Sequence, residues 1–149
     1  MLPRAFTQCP RALDVLSTVP AGFIVNRERD DTNAPHIRAG ERIIADPADR
    51  EPIHGELFLI EWSGGRRDVM QTVLRRETGM VQLDGSRRDE DLWTLTGLGF
   101  CLSEGPMRDA YLRTKIVGRV IGLYDPTFEV RAHGLPMALQ RFAADRSHA

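Results

Sequence analysis

The apolar residues of this 149-residue chain come in short, β-rich runs, each closed by glycine, proline or a polar turn. That punctuation constrains the fold more than any other feature, because short runs between turn signals read as strands. Lys115 to Tyr124 (KIVGRVIGLY) is the strongest of them, β-branched and apolar. Its glycines, Gly118 and Gly122, mark a bend or a close backbone approach within a strand. Phe23-Ile24-Val25, Arg42 to Ala45, Glu56 to Trp62, Asp68 to Arg76, Met80 to Leu83 and Leu92 to Leu98 read as further strands. Ala39-Gly40, Ser63-Gly64-Gly65 and the stretch from Pro47 to Gly55 read as turns and loops. Glu77-Thr78-Gly79 reads as a hairpin turn, and residues 84–91 (DGSRRDED) as a charged, solvated loop. Helix is expected over 10–17, over 106–113 after Pro106, and over 135–146, where Leu135, Leu139 and Phe142 recur at helical spacing. The expected architecture is mainly β, with many short strands and a short C-terminal helix. It divides into a short N-terminal segment over 1–20, a β domain over 21–131 and a C-terminal helix or tail over 132–149.

Apolar residues make up 42% and charged residues 28%, a balance that suits one packed domain. The formal charge of −1 argues against a strongly basic nucleic-acid module. Cys9 and Cys101 are too few for a disulfide scaffold and lack the paired spacing of a zinc site. No apolar stretch of signal-peptide length follows Met1, and no run approaches the ~18 residues of a membrane span. A cytoplasmic, bacterial or phage-like protein is expected. Of its 20 basic residues, only Lys115 is lysine. Arginine stays protonated in proteins, so a lysine base has one candidate in this chain.

Several stretches in one order carry a resemblance. They are Phe23-Ile24-Val25, the segment from Asp31 through Pro35, Ile37 and Gly40-Glu41, Ile43-Ile44-Ala45-Asp46, Gly55 to Ile60, Val69 to Leu74, and Ile116 to Gly122. Across roughly residues 22–124 the chain resembles the C-terminal domain of the LexA/UmuD family of self-cleaving Ser–Lys peptidases, which includes phage repressors. The resemblance implies that family's β fold and its dimerisation. It puts the nucleophile position at Thr32, or at Asp31 in a second register, and the base position at Gln71, with Met70 or Thr72 after a one-residue slip. None of these is Ser or Lys. A hydroxyl needs a base within hydrogen-bond reach, and the family's lysine becomes one through desolvation. A Gln amide has no basic lone pair. Ala21-Gly22 has the letters of the family's cleavage bond but lies ten residues before Thr32, too close to loop back, and reads as a turn.

Other constellations are weaker. His36, His54, His133 and His148 are scattered, with no metal-ligand spacing, so neither a metal nor a cofactor is expected. Ser63 and Ser103 lack the Gly-x-Ser-x-Gly elbow of a hydrolase. Arg66-Arg67, Arg75-Arg76 and Arg87-Arg88 could form a phosphate-binding face, but acidic neighbours cut their field. Trp62 and Trp93 read as core or interface. Phe58, Phe100, Tyr111, Tyr124, Phe128 and Phe142 add more large side chains than one core obviously needs, which points to a homodimer with Ile116 to Tyr124, or Asp125 to Arg131, near its interface. The sequence therefore suggests an inactive, stand-alone domain of this kind, a dimerisation or regulatory protein-binding module without a DNA-binding head. The alternative is a diverged serine- or threonine-type peptidase. One geometry separates the two: a lysine amine within hydrogen-bond reach of a Ser or Thr hydroxyl favours the enzyme.

Overall fold

The structure is a computed structural model and describes residues 13–99 and 102–128. Its elements run β1 (Val15–Leu16), β2 (Ile24–Arg27), β3 (Arg42–Asp46), β4 (Leu57–Glu61), β5 (Arg67–Val81), β6 (Arg87–Thr96), β7 (Ser103–Arg108), α1 (Asp109–Lys115) and β8 (Ile116–Tyr124). The fold is mainly β, as expected. All eight strands share one sheet in the order β2-β3-β8-β4-β5-β6-β7, with β1 attached to β8. Every pairing is antiparallel except the parallel contact of β1 with β8.

The strand with the clearest sequence signal is the hub of this sheet. One edge of β8 takes β3, from Asp46 opposite Arg119 to Arg42 opposite Tyr124. Its other edge takes β4 over Ile116 to Arg119, then β1 at Leu123 and Tyr124. The two glycines allow this crowding. A Cβ on Gly118 would stand 2.3 Å from the Asp46 carbonyl oxygen, and one on Gly122 would stand 2.5 Å from that of Asp14. Only a residue without a side chain lets backbone approach so closely.

Alternation along β4 builds two cores, one on each face of the sheet. Leu57 and Leu59 pack with Ile37, Ile43, Val69 and Leu98. Phe58 and Ile60 pack on the other face with Met70, Trp93, Leu95 and, from α1 and the start of β8, Leu112 and Ile116. Each fully buried side chain of this size stabilises by roughly 1.5–3 kcal/mol, against about 0–1 for an exposed ion pair. The two cores therefore hold the sheet, and the surface ion pairs contribute little.

Several elements differ from expectation. Residues 13–17 are not helical; Val15–Leu16 extends beside β8, while residues 10–12 lie outside the described residues. Glu77-Thr78-Gly79 is no hairpin turn but a bulge within the 15-residue β5. The chain reverses instead at Asp84-Gly85, where Gly85 takes a φ of +84°. The charged stretch after it is strand, because β6 begins at Arg87. Pro106 sits in β7 rather than opening a helix, and α1 begins at Asp109. β7 is an edge strand, so a proline there costs no ladder hydrogen bond on its outer side. The expected helix over 135–146 lies outside the described residues.

Candidate functional site

The loop after β2 makes the site. Two backbone bonds continue the β2–β3 pairing past its end, from Glu28 N–H to the Glu41 carbonyl and from Gly40 N–H to the Glu28 carbonyl, each 2.8 Å. This zipper carries Glu28 into the interior. The loop from Arg29 to Ala39 then folds over one core, pinned by Ile37, which is fully buried. Asn33, also fully buried, staples the loop to two distant segments. Its amide donates to the Val69 carbonyl and its oxygen accepts from Leu98 N–H, both at 2.9 Å. Gly97 and Gly99 press against the loop from the far side. A Cβ on Gly99 would stand 2.5 Å from the Thr32 carbonyl oxygen, which Gly99 N–H binds at 2.8 Å.

The positions singled out for a nucleophile and a base do not form a dyad. The side-chain hydroxyl and the backbone N–H of Thr32 both bind Asp30, the latter at 3.0 Å, and hold that carboxyl below its ordinary range. A carboxylate so stabilised is a poor acceptor for an alcohol proton. Asp31, the other register, accepts Ala39 N–H at 2.9 Å and shapes the turn. Gln71 donates its amide to the Gly55 carbonyl at 3.1 Å. Thr72 is buried and donates to the Ile53 carbonyl at 2.5 Å, and Met70 is core. Each of these side chains is committed to its own surroundings.

Thr32 instead lines a cleft of about 300 Å³ whose buried charged residue is Glu28. Arg29, Asp30, Arg66 and Asp68 complete its charged wall, with Val69 and Leu102 as apolar surface. Glu28 is 4% exposed, and its Oε2 is buried with no hydrogen-bond partner. Burial, then the carboxylates of Asp30 and Asp68, push Glu28 up to about 7, against the Asn33 amide and Arg29, which favour its charged form. Asp68 is fully engaged. It accepts from the Trp62 indole at 2.7 Å, from Arg66 at 2.9 Å and from Arg29 at 3.2 Å. Sequence reasoning did not single out Glu28, Asp68 or Arg29. Glu28 stands in a polar stretch, NRERDDTN, that carries no apolar signal of burial.

The lone lysine does meet a serine, though away from this cleft. The Lys115 ammonium donates to Ser63 Oγ at 3.3 Å and lies over the Tyr111 ring, 5.4 Å from its centre. Ser63 sits on the exposed turn after β4, and neither residue lines the cleft. Two of the three arginine pairs are tied to acids, as their neighbours suggested: Arg66 to Asp68, Arg67 to Glu61, Arg75 to Glu77 and Arg76 to Asp89 and Asp91. Ala21-Gly22 forms an exposed turn with Gly22 at a φ of +83°. His54 accepts Leu74 N–H at 2.9 Å, and His36 is exposed; His133 and His148 lie outside the described residues. Among the described residues no three His, Cys, Asp or Glu side chains converge as metal ligands. Ser103 opens β7 on the exposed edge. Trp93 and Phe58 are core, so they supply no surplus surface. No helix among the described residues is long and apolar enough to cross a membrane. No protein-family model, curated protein or solved structure matches this chain.

Proposed function

We propose that this chain is a non-catalytic domain of the LexA/UmuD kind that works by binding, as a homodimer or as a regulatory module for another protein, without a DNA-binding head. The observation that carries the non-catalytic part is the commitment of both key side chains: Thr32 to Asp30 and Gln71 to the Gly55 carbonyl. Neither arrangement holds a base that could activate a hydroxyl. Incubation of the purified chain at alkaline pH, where any lysine amine is deprotonated, tests this. The chain should stay intact. A discrete cleavage product that vanishes in Thr32→Ala would overturn it. The double change Thr32→Ser, Gln71→Lys should restore little cleavage, because Ala21-Gly22 lies too close to the site to fold back.

The peptidase reading keeps one observation in its favour, the contact of Lys115 with Ser63. It ranks second because a lysine works as a base when burial strips water from its ammonium, and the Ser63 hydroxyl lies on an exposed turn. If that pair were catalytic, cleavage at alkaline pH would survive Thr32→Ala and disappear in Ser63→Ala and in Lys115→Ala.

A further inference from the structure

We infer that the cleft beside Thr32 receives an organic cation, an ammonium or guanidinium group, held by the Glu28 carboxylate. Glu28 lines the cleft, is 4% exposed, and leaves Oε2 buried without a hydrogen-bond donor. A buried carboxylate oxygen in that state is costly, and native structures rarely leave one so. The neighbouring groups do not complete it. Arg29 and Arg66 are both turned onto Asp68, at 3.2 and 2.9 Å, and the Trp62 indole donates there too. The Asn33 amide, which donates to the Val69 carbonyl and also bonds the Glu28 carboxyl, leaves Oε2 without a donor, and the Thr32 hydroxyl is bound to Asp30. Asp30 and Asp68 add negative potential at Glu28.

An incoming ammonium or guanidinium supplies what is lacking, an N–H for Oε2 and a positive charge for the carboxylate. The absence of three converging metal ligands among the described residues favours such a group over a metal ion. Val69 and Leu102 offer apolar wall for the methylene stem that lysine and arginine carry. Binding is linked to protons. The cation takes the place of the proton on Glu28, which leaves to solvent, so affinity rises with pH through the titration of this carboxyl. The charged groups that face it are Asp30 and Arg29 from its own loop, Arg66 from the turn before β5 and Asp68 from the start of β5. The inference stands on the cleft alone and holds whether or not the chain belongs to the family it resembles.

The test is an amide-resolved NMR titration of the full chain with three probes: butylamine, the peptide acetyl-Ala-Lys-Ala-amide, and butanol as the uncharged control. Saturable shifts centred on residues 28–33, 66–69 and 102 are expected for one or both amines and not for butanol. Binding by the peptide assigns a protein partner's side chain, and binding by butylamine alone assigns a free amine. With only the ionised carboxylate competent and a midpoint of about 7, affinity should fall about 30-fold between about pH 8 and about pH 5.5. Glu28→Gln, which keeps the shape and removes the charge, should weaken binding at least ~10-fold at the higher pH. Absence of saturation by either amine at about 50 mM, far above the affinity such a site needs to matter, overturns the inference. So does equal binding of butanol, equal binding by Glu28→Gln, or no change with pH. If Glu28→Gln does not fold, the pH dependence of the wild-type chain decides. An intact, dimeric chain that binds no amine removes this inference and leaves the proposed function standing.

Discussion

Asn33 and Glu28 are both buried polar residues of one loop, and they act in opposite ways. Asn33 satisfies two backbone groups, the Val69 carbonyl on β5 and Leu98 N–H just past β6. Asn33→Ala leaves both buried and unpaired, so it should destabilise by about 3 kcal/mol in urea unfolding, while Thr32→Ala should cost under about 1 kcal/mol. Glu28 works against the fold when charged. Its native carboxyl keeps a proton up to about 7, whereas an unfolded glutamate releases it near 4.5. The native state thus binds more protons between those values. Stability from this group is full below about pH 4.5, falls as pH rises through the window and levels off above about pH 7, a loss on the order of 3 kcal/mol. Glu28→Gln should flatten that slope when unfolding is compared at about pH 5 and about pH 8; an unchanged slope would place the titrating group elsewhere. The site was only half legible at this scale. The loop itself and Thr32 could be found from Pro35, Ile37 and Gly40-Glu41. Glu28 could not, because its burial comes from backbone bonds to Gly40 and Glu41, more than ten residues downstream, and local pattern carries no such information.

At the scale of elements, legibility followed burial. β4 and β8 declare themselves through continuous apolar runs because both their faces are covered. The far half of β5 and the start of β6 do not. Past Leu92 opposite Arg108, the β7 ladder ends, and residues 76–81 and 87–91 pair only with each other, as a two-stranded ribbon. Such a ribbon is solvated on both faces and can carry charges at every position, which makes its sequence look like loop. Gly79 inside it is a bulge glycine at a φ of +66°, and a glycine in a polar stretch reads equally well as a turn. Hydrogen exchange should separate the two halves, with amides of 76–81 exchanging faster than those of 69–72; equal protection would mean that something covers the ribbon. The β8 glycines give a sharper test. Gly118→Ala drives a methyl into the Asp46 carbonyl and should cost about 3 kcal/mol. Gly64→Ala, on an open turn with nothing within 4 Å, should change stability by less than about 0.5 kcal/mol.

For the whole molecule, the expected dimer is constrained by the sheet order. β8 has neighbours on both edges, so a copy cannot pair with Ile116–Tyr124 strand to strand. The remaining part of the expected contact among the described residues is Asp125 to Phe128, which borders a groove lined by Val15, Arg42, Leu123 and Tyr124. Light scattering at about micromolar concentration should give twice the chain mass, as the commonest symmetric oligomer would. A monomer mass would leave binding to a different protein as the role. The same hub strand also sets a schedule. Val15 meets Leu123 across more than a hundred residues of chain, and β3 and β4 likewise wait for a strand near the described C-terminal end. On the ribosome, β5, β6 and β7 can pair as they emerge, but β3 and β4 have no common neighbour until β8 has been made. A nascent chain that stops short of β8 is two unjoined fragments of sheet with exposed edges, so closure of this domain waits for that strand, and the interval before it is the one most open to capture by chaperones.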